Sequence, residues 1–365
     1  MKKIKLGDVC TINAATFDGG NGCGFVNYLD TGNITANNIE KIHRIDLAQD
    51  KLPSRARRRV KLNSIIYSTV RPNQRHYGII KSLPENFLVS TGFAVIDADP
   101  EKIDANFLYY QLNRDEIVDN LQSIADQSTT AYPSIKPSDL SNMEFLMPPL
   151  ETQRKIGNFL YALDDKIALN KKINATLEAM AKTLYLHEFF RRSPNGKLDD
   201  IIIENPKSTI PVGDAKNIGG EVPFFTSGDS VLSWTDSLVD GRNIFLNDGG
   251  NAGVKFYVGK AAYSTHTYSI STKGNLADYI YLLLKVIEPE LDKRFFTGTG
   301  LKNLRKDLLK GRAIYIPTGT EREQFNSIAQ PCFTKISANL RENRRLTELR
   351  DWLLPMLMNG QVNFK

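Results

Sequence analysis

The sequence predicts a mixed α/β protein in which two α/β domains form a pseudo-two-fold repeat, joined by two long antiparallel coiled-coil helices. Three observations support this fold. The second half of the chain repeats the first, each half contains short β-rich runs followed by a helical stretch, and each half ends in a long segment with heptad spacing. The predicted limits are 1–148 and 193–318 for the domains, 149–192 for the central helix, and 319–365 for the C-terminal helix and closing tail.

The repeat is clearest around the long helices. The segment from Thr129 to His187 has a second copy, without gaps, 169 positions later. Pro148 matches Pro317 in this alignment. Upstream the match continues with shifts in register, because the first copy contains extra sequence before its helix. Two copies of one unit predict two related binding surfaces.

Both domains show the alternation and the apolar runs that are typical of strands, followed by a helical pattern. In the first domain we predict strands at 65–67, 77–80 and 93–96, a helix from 106 to about 124, and a strand at 143–147. The second domain repeats this order in compact form, with strands at 254–258 and 267–271, a helix at 276–287 and a closing strand at 313–316.

Both long segments carry apolar residues about every 3.5 positions, which is the spacing of a coiled-coil seam. In the first helix the two rows are Ile156, Leu163, Asn170, Leu177 and Leu184, and Phe159, Lys166, Ile173, Met180 and His187. In the second helix they are Phe325, Cys332, Asn339, Leu346 and Leu353, and Ile328, Lys335, Glu342 and Leu349. We expect the helices to pair through Leu163, Asn170, Leu177 and Leu184 on one side and Asn339, Leu346 and Leu353 on the other.

Each helix interrupts its seam with asparagine in one row and lysine in the other, at matching places. A buried polar side chain costs stability but fixes the register, since a slipped alignment leaves it unsatisfied. Alternatively, these residues lie on a solvated face. Because both interruptions recur in both copies, the register interpretation is favoured.

Signals for the helix ends are present as well. Thr320 with Glu323 fits a capping box at the start of the second helix. The segments 193–196 and 359–360 supply stop signals. Pro331 predicts either a kink or the start of a new helix, and Pro355 predicts a helix end near Leu354.

Composition favours a soluble globular protein, with 41% apolar and 24% charged residues. The sequence has no apolar run near the roughly 20 residues of a membrane helix, and its N-terminus lacks the apolar stretch of a signal peptide. Three scattered cysteines favour a reduced, cytoplasmic chain over a disulfide framework or a zinc site. The net charge of +6 is compatible with nucleic-acid binding.

Catalytic motifs are weak. The sequence has no GxxxxGK[ST] phosphate loop, and its four histidines lack metal-ligand spacing. The segment from Phe296 to Gly300 resembles the loop that methyltransferases use around S-adenosylmethionine, but the usual adenine-methylating partner motif is missing. In the first copy of the repeat the same place has no glycine. We therefore predict no resident cofactor and no metal.

Basic and polar loops are better candidates for a site. In the first domain these are Arg55, Arg57, Arg58 and Arg59, and then Arg71, Asn73, Gln74, Arg75, His76 and Tyr77 between two predicted strands. Arginine can grip guanine bidentately, asparagine and glutamine can grip adenine, and basic residues hold phosphates. The first run can equally be a solvated surface strip. In the second domain the candidates are Gly250, Asn251, Lys255, Thr299, Lys302 and Asn303, although glycine there commonly serves only a turn.

The order of these features resembles a known family. Each variable α/β domain is followed by a Pro-x-x-x-[Glu/Thr]-x-x-Gln-like segment, at 148–153 and 317–324, and by a long helix, with Asn-Gly after the helices. The chain thereby resembles, over essentially its whole length, the specificity subunit of a type I restriction–modification system. The compact second domain and Pro331 depart from that pattern.

The resemblance implies a non-catalytic DNA reader. Each domain would be a target recognition domain for one half of a split site in double-stranded DNA, and the helices would be the spacer and the platform for two methyltransferase (M) subunits. Those partners would bring S-adenosylmethionine, and restriction (R) subunits would add cleavage driven by ATP with Mg. Because the two domains differ in sequence, we expect an asymmetric target. Two alternatives are a stand-alone DNA methyltransferase using Phe296 to Gly300, and a coiled-coil scaffold without DNA binding.

Overall fold

The computed structural model describes residues 2–18, 23–127, 132–298 and 302–362. The chain forms two compact units, unit 1 with Met1–Lys166 and Leu346–Lys365, and unit 2 with Ile167–Arg345. Each unit contains one α/β domain and a segment of both long helices. The domain limits predicted from the sequence treat the long helices as segments separate from the domains, and these limits stay a prediction.

Unit 1 is rich in short strands. Its strands are β1 (Lys2–Lys5), β2 (Cys10–Ile12), β3 (Phe25–Leu29), β4 (Ile34–Thr35), β5 (Asn38–Ile39), β6 (His43–Asp46), β7 (Ala56–Arg59), β8 (Ile65–Ser68), β9 (Tyr77–Ile79), β10 (Phe87–Ser90), β11 (Phe93–Ala98) and β12 (Glu144–Met147). Its helices are α1 (Ala105–Leu112), α2 (Asp115–Asp126) and α3 (Pro137–Ser141), and the long helix α4 (Leu150–Glu188) begins in this unit.

Two four-stranded sheets form the centre of unit 1, with strand orders β2-β11-β8-β9 and β6-β3-β10-β7. Alternate residues of β8 enter different cores. Ile65 and Tyr67 pack with Phe107 of α1, whereas Ile66 packs with Leu29 and Val89 of the second sheet. Because β8 is covered on both faces, it reads in the sequence as a continuous apolar run.

Unit 2 repeats the plan in shorter form. Its strands are β13 (Gly196–Lys197), β14 (Ile202–Glu204), β15 (Val222–Phe225), β16 (Val231–Trp234), β17 (Arg242–Asn247), β18 (Val254–Val258), β19 (Ala262–Tyr263), β20 (Thr267–Thr272), β21 (Phe296–Thr297), β22 (Asn303–Leu304) and β23 (Ala313–Ile314). Its helices are α5 (Val212–Ile218), α6 (Ala277–Val286), α7 (Glu288–Arg294), α8 (Lys306–Lys310) and the long helix α9 (Gly319–Met358), which ends in unit 1.

The central sheet of unit 2 has the order β14-β20-β17-β18 and is antiparallel. One face of β17 carries Ile244 and Leu246, which pack in the same core as α6. On the other face the ring of Phe245 stacks on Phe225, with centroids 4.2 Å apart. A sheet covered by a helix on one face and by a second sheet on the other is thus common to both units, and the second sheet has four strands in unit 1 and three in unit 2.

The predicted strands of both domains are present, and β18 has the predicted bounds. The helix predicted from 106 to about 124 is instead two helices, α1 and α2. Arg114 adopts extended backbone angles and precedes α2, which breaks the helix there. Asp104 begins α1, because its carboxylate accepts a hydrogen bond from the N–H of Phe107 at 2.8 Å.

The two long helices pair in antiparallel orientation, as predicted. In unit 2 the amide of Asn170 donates to Asn343 at 2.8 Å, and that of Asn339 donates to Asn174 at 2.7 Å. In unit 1 Asp164 of α4 pairs with Arg350 of α9 at 2.5 Å. Among the predicted pairing residues, Asn170 and Asn339 are buried, and the leucines are half-buried, namely Leu163, Leu177, Leu184, Leu346 and Leu353.

One row of each seam lies one residue further along than predicted. The observed second rows are Leu160, Ile167, Asn174 and Ala181 in α4, and Ala329, Ile336, Asn343, Arg350 and Leu357 in α9. A heptad alternates steps of three and four residues, and the prediction had these steps in the wrong order. Lys166 and Lys335 are therefore exposed, so the lysine half of the register interpretation is wrong. Asn170 and Asn339 are buried and hydrogen-bonded across the helix pair, as the asparagine half requires.

The ends of α9 also differ from the prediction. The capping box uses Thr318 and Glu321, two residues earlier than expected. The N–H of Glu321 donates to Thr318 Oγ1 at 3.3 Å, and the N–H of Thr318 donates to Glu321 Oε2 at 2.9 Å. Pro331 does not start a new helix, and Pro355 does not end α9, which runs to Met358. Packing of neighbours such as Phe333 in the core offsets the hydrogen bond that a proline removes.

Candidate nucleic-acid interface

Loops that are distant in sequence are joined at one edge of the unit 1 sheets. The N–H of Thr91 donates to the carbonyl of Arg55 at 2.8 Å, and that of Thr69 donates to the carbonyl of Gly92 at 2.9 Å. The N–H of Arg71 in turn donates to the carbonyl of Pro133 at 3.0 Å. The two basic runs of the first domain are thus connected through the turn between β10 and β11.

The hairpin β4–β5 belongs to the same edge, and the sequence reasoning missed it. Ala36 and Asn37 form its turn with φ values of 44° and 65°. The N–H of Ala36 donates to the carbonyl of Arg75 at 2.8 Å, and Asn37 Oδ1 accepts from the N–H of Ile79 at 2.9 Å. The asparagines at 37 and 38 were the available signal, because asparagine tolerates positive φ better than most residues.

The segment Arg71–Arg75, called the 71–75 loop below, has a strained backbone. Arg71 has a φ of 48° and Arg75 a φ of 56°, on either side of a short 3₁₀ turn, Pro72–Gln74. The left-handed region costs a non-glycine residue about 1–2 kcal/mol. Surrounding contacts must hold this shape, and strain of this kind concentrates at functional sites.

The 71–75 loop presents polar side chains outward. Arg71, Asn73 and Gln74 are exposed. The guanidinium of Arg71 lies 5.7 Å from the ring centroid of Tyr132, whose side chain is 65% exposed. An arginine, two amides and an aromatic face are groups that can donate to base edges, contact phosphates and stack.

Three other residues that were predicted to contact DNA have internal partners. Tyr77 is buried and its ring stacks on Tyr67, 5.5 Å between centroids. His76 Nδ1 lies 2.6 Å from the carbonyl oxygen of Ile34. Arg75 pairs with Asp115 at 2.5 Å, and this carboxylate raises the pKa of Arg75. Tyr77 is the first residue of β9 and faces the core, which contradicts a direct contact between its side chain and DNA.

The run from Arg55 to Arg59 is divided. Arg55 and Arg59 are exposed, whereas Arg57 and Arg58 are half-buried. Arg57 donates to the carbonyl of Phe17 at 3.4 Å, and the guanidinium of Arg59 lies 5.2 Å from the Phe17 ring centroid. Strand β7 is at the edge of its sheet, where charged residues also prevent unwanted strand pairing. Arg55 and Arg59 are the members that remain accessible.

In unit 2 the structure brings most of the predicted residues together. The N–H of Gly250 donates to the carbonyl of Lys302 at 2.9 Å, and Gly249 forms a β-bridge with Asn303. Gly250 has a φ of 84°, so its turn requires glycine. Asn251 and Asn303 are exposed beside this contact. Thr299 lies outside the described residues.

Acidic partners reduce the free positive charge of this patch. Lys302 pairs with Asp292 at 3.3 Å, and Lys306, which the sequence reasoning did not select, pairs with Asp248 at 2.9 Å. Lys255 is half-buried, and its ammonium donates to the carbonyl of Thr226 at 2.8 Å. Burial lowers the pKa of Lys255. This lysine is therefore engaged by internal partners and is a poor candidate for a phosphate contact.

The described part of the segment that resembles a cofactor loop pairs with a neighbouring strand. Phe296 is buried in the unit 2 core, and β21 pairs with β22 through Phe296–Leu304 and Thr297–Asn303; Thr299 and Gly300 lie outside the described residues. Within the described part of the chain, no group of three or more His, Cys, Asp or Glu side chains is placed to hold a metal ion. None of the helices described is long and apolar enough to cross a membrane.

Comparison with known proteins supplies the context for these surfaces. The family model described as the type I restriction modification DNA specificity domain matches residues 1–179 and 195–343, once in each copy of the repeat. The specificity subunit of the type I restriction enzyme HindI from Haemophilus influenzae is 24% identical, over 99% of both chains. That of MjaIX from Methanocaldococcus jannaschii is 26% identical, over 71% of this chain and 69% of the relative.

A solved structure supports the fold. The S subunit of a type I restriction–modification system from M. genitalium superposes with a TM-score of 0.64 at 15% identity. The superposition covers 98% of this chain and 95% of that one.

Proposed function

The chain belongs to the family of type I restriction–modification DNA specificity domains, whose subunits recognise DNA and are not catalytic, and we propose that it reads an asymmetric, two-part site in double-stranded DNA. The observation that carries this proposal is the 71–75 loop, whose strained backbone presents Arg71, Asn73 and Gln74 outward. Unit 1 reads one half of the target through this loop. Unit 2 reads the other half through the surface around Gly250, Asn251, Lys302 and Asn303.

The side chains of the 71–75 loop suit the major groove. Arg71 can donate to O6 and N7 of guanine, and Asn73 and Gln74 can each bond N6 and N7 of adenine. Each such bidentate pair contributes about 1–3 kcal/mol to discrimination. Arg55 and Arg59, both exposed, hold phosphates, which orients the loop without carrying sequence information.

The long helices are the platform for the partner subunits. They carry large apolar side chains that are unusually exposed, with Trp352 at 60% and Leu349 at 40% in unit 1, and Leu169 at 49% and Leu340 at 44% in unit 2. Exposed apolar and aromatic side chains are typical of protein interfaces. We assign this surface to two methyltransferase subunits, which bring S-adenosylmethionine. Restriction subunits, with ATP and Mg, complete the assembly in the cytoplasm.

A methylation assay of the complex of this chain with its methyltransferase subunits tests the proposal. We expect the triple variant R71A/N73A/Q74A to lose discrimination at one half of the methylated motif, by about tenfold or more for each bidentate pair removed. The other half of the motif should be read as before. Lys102→Ala is a matched control, because Lys102 is exposed and follows the opposite end of β11 from the 71–75 loop.

The alternatives give different results. If the triple variant keeps its motif, its affinity and its salt dependence, the chain is a scaffold and the proposal is wrong. A stand-alone methyltransferase would turn over S-adenosylmethionine in the absence of any other subunit, and we expect no turnover.

A further inference from the structure

Helix α2 holds the 71–75 loop at two points. Gln122 Oε1 accepts a hydrogen bond from the main-chain N–H of Asn73 at 3.2 Å. Asp115 Oδ1 accepts from Arg75 Nη2 at 2.5 Å. The orientation of Gln122 is itself determined, because its Nε2 donates to Asp126 at 2.7 Å. The loop backbone is thus tied to a rigid element both in its middle and at its end.

The charge of Asp115 is not what a phosphate-binding surface requires. Its side chain is 78% exposed, and the side chain of Arg75, whose guanidinium it engages, is 41% exposed. A carboxylate beside DNA repels the phosphates, and it also cancels the charge of the arginine that it pairs with. The pair therefore contributes little to general DNA affinity. Its evident effect is to fix the position of Arg75.

Arg75 needs such a fixed position. Its φ of 56° lies in the region that favours glycine, and its carbonyl accepts the N–H of Ala36 from the β4–β5 hairpin. If Arg75 relaxed to an ordinary backbone conformation, the hairpin contact and the direction of Asn73 and Gln74 would change together.

We propose that Asp115 and Gln122 are positioning residues for sequence discrimination, which act by fixing the backbone of the 71–75 loop so that Asn73 and Gln74 meet base edges in one orientation. This inference rests on the proposed function of the loop. Under this proposal the residues of the loop have two different roles. Arg71, Asn73 and Gln74 contact DNA, whereas Arg75 connects the loop to α2.

The test compares Asp115→Ala and Gln122→Ala in the full complex with the methyltransferase subunits. The readout is the ratio of affinities for the cognate site and for sites with one base changed in the half that unit 1 reads. We expect this ratio to fall at least tenfold for Asp115→Ala. Affinity for unrelated DNA should stay the same or rise, because a negative charge is removed. Asp115→Glu should restore part of the ratio.

Asp119→Ala is the matched control, since Asp119 is exposed one turn further along the same helix. It removes the same charge without touching the loop, so discrimination should be unchanged. Equal effects of Asp115→Ala and Asp119→Ala would overturn the inference, as would an equal loss of affinity for all DNA sequences. If Asp115→Ala does not fold, Gln122→Ala provides the same comparison without a change in charge.

The outcome is distinguishable from failure of the proposed function. If R71A/N73A/Q74A loses discrimination and both α2 variants keep it, the loop reads DNA without this support, and only the positioning role is wrong. If the triple variant also keeps discrimination, the proposed function of the loop fails.

Discussion

Asn170 of α4 donates its side-chain N–H to Asn343 of α9 at 2.8 Å, inside the helix pair of unit 2. Its counterpart in the other copy of the repeat, Asn339, donates to Asn174 at 2.7 Å. Exchanging the two copies, 169 positions apart, converts one hydrogen bond into the other. The buried polar layer thus has the two-fold relationship of the sequence repeat, and it favours one antiparallel alignment of the two helices.

Removing one member of this layer should destabilise unit 2. In Asn170→Leu the buried Asn343 loses a donor, so we expect the free energy of unfolding to fall by about 1–3 kcal/mol, measured by urea unfolding. The double variant N170L/N343L should regain that stability. Its backbone amide hydrogens along the seam should nevertheless exchange with solvent faster, because the register of the two helices is less strictly specified. Lys335→Ala should stay within about 0.5 kcal/mol of the parent. A larger effect at Lys335 would indicate that this lysine does pack in the seam between the helices.

The start of α9 gives a second test. Thr318→Ala removes the capping oxygen, and we expect a loss of about 1 kcal/mol in thermal unfolding of unit 2. Thr320→Ala, two residues on, should be nearly neutral. The main-chain N–H of Thr318 and the Tyr315 hydroxyl lower the pKa of Glu321 below its usual 4.5. The contribution of the cap is therefore present above pH 4.5 and lost as the pH falls below it. Equal effects of both threonine variants would contradict the assignment of the capping box to Thr318 and Glu321.

Gly78 of β9 tests the packing of the β4–β5 hairpin. A Cβ at this position would lie 2.6 Å from Ile34 Cδ1 and 2.8 Å from Asn37 Oδ1. Gly78→Ala should therefore displace the hairpin, cost about 1–3 kcal/mol in chemical unfolding, and weaken discrimination by the neighbouring 71–75 loop. At Gly24 a Cβ would meet none of the described atoms within 4 Å, so Gly24→Ala serves as the control. Unchanged stability of Gly78→Ala would show that the hairpin is not tightly packed.

A pH dependence is expected from Asp278 in unit 2. This carboxyl is fully buried, and burial raises its pKa from 3.8 to about 6 although Arg242 lies 2.5 Å away. A raised pKa means that the folded state binds the proton more tightly than the unfolded state. The contribution of Asp278 to the free energy of unfolding is therefore fully present below about pH 4 and is lost as the pH rises through about 6.

Asp278→Asn should abolish this dependence of stability on pH. Relative to the parent, the variant should gain stability between pH 4 and pH 7, by up to about 3 kcal/mol, measured by urea unfolding at several pH values. Asp214→Asn, which replaces an exposed carboxylate of α5, is the control and should leave the slope unchanged. A parallel pH profile for parent and Asp278→Asn would show that Asp278 stays ionised beside Arg242.

The elements of the fold were predictable from the sequence because the spacing of apolar residues follows the pattern of burial. The run that became β8 is apolar because this strand is covered on both faces, and the asparagines of the seam stand out against leucines. The order of the three- and four-residue steps was not predictable in the same way. It depends on whether Lys166 or Ile167 faces the other helix, which only the packed structure decides.

The sequence predicted a polar loop at a sheet edge, but it did not show how the residues of this loop are held in place. A polar stretch between two strands indicates a loop at a sheet edge, and Arg71, Asn73 and Gln74 are exposed there. Local pattern could not show that Arg75 meets Asp115, forty positions away, because nothing in the spacing links them. Tyr77 was included in the candidate loop although the predicted strand at 77–80 already began there, and it is the first residue of β9.

The loops of the unit 1 edge are fastened to one another through main-chain atoms, as between Thr69 and Gly92 or Arg71 and Pro133. Such bonds do not depend on which side chains the loops carry. Mutations at Arg71, Asn73 or Gln74 can therefore accumulate with little loss of stability. If the loop reads DNA as proposed, a lineage can change its target one residue at a time while the main-chain hydrogen bonds of the edge stay the same.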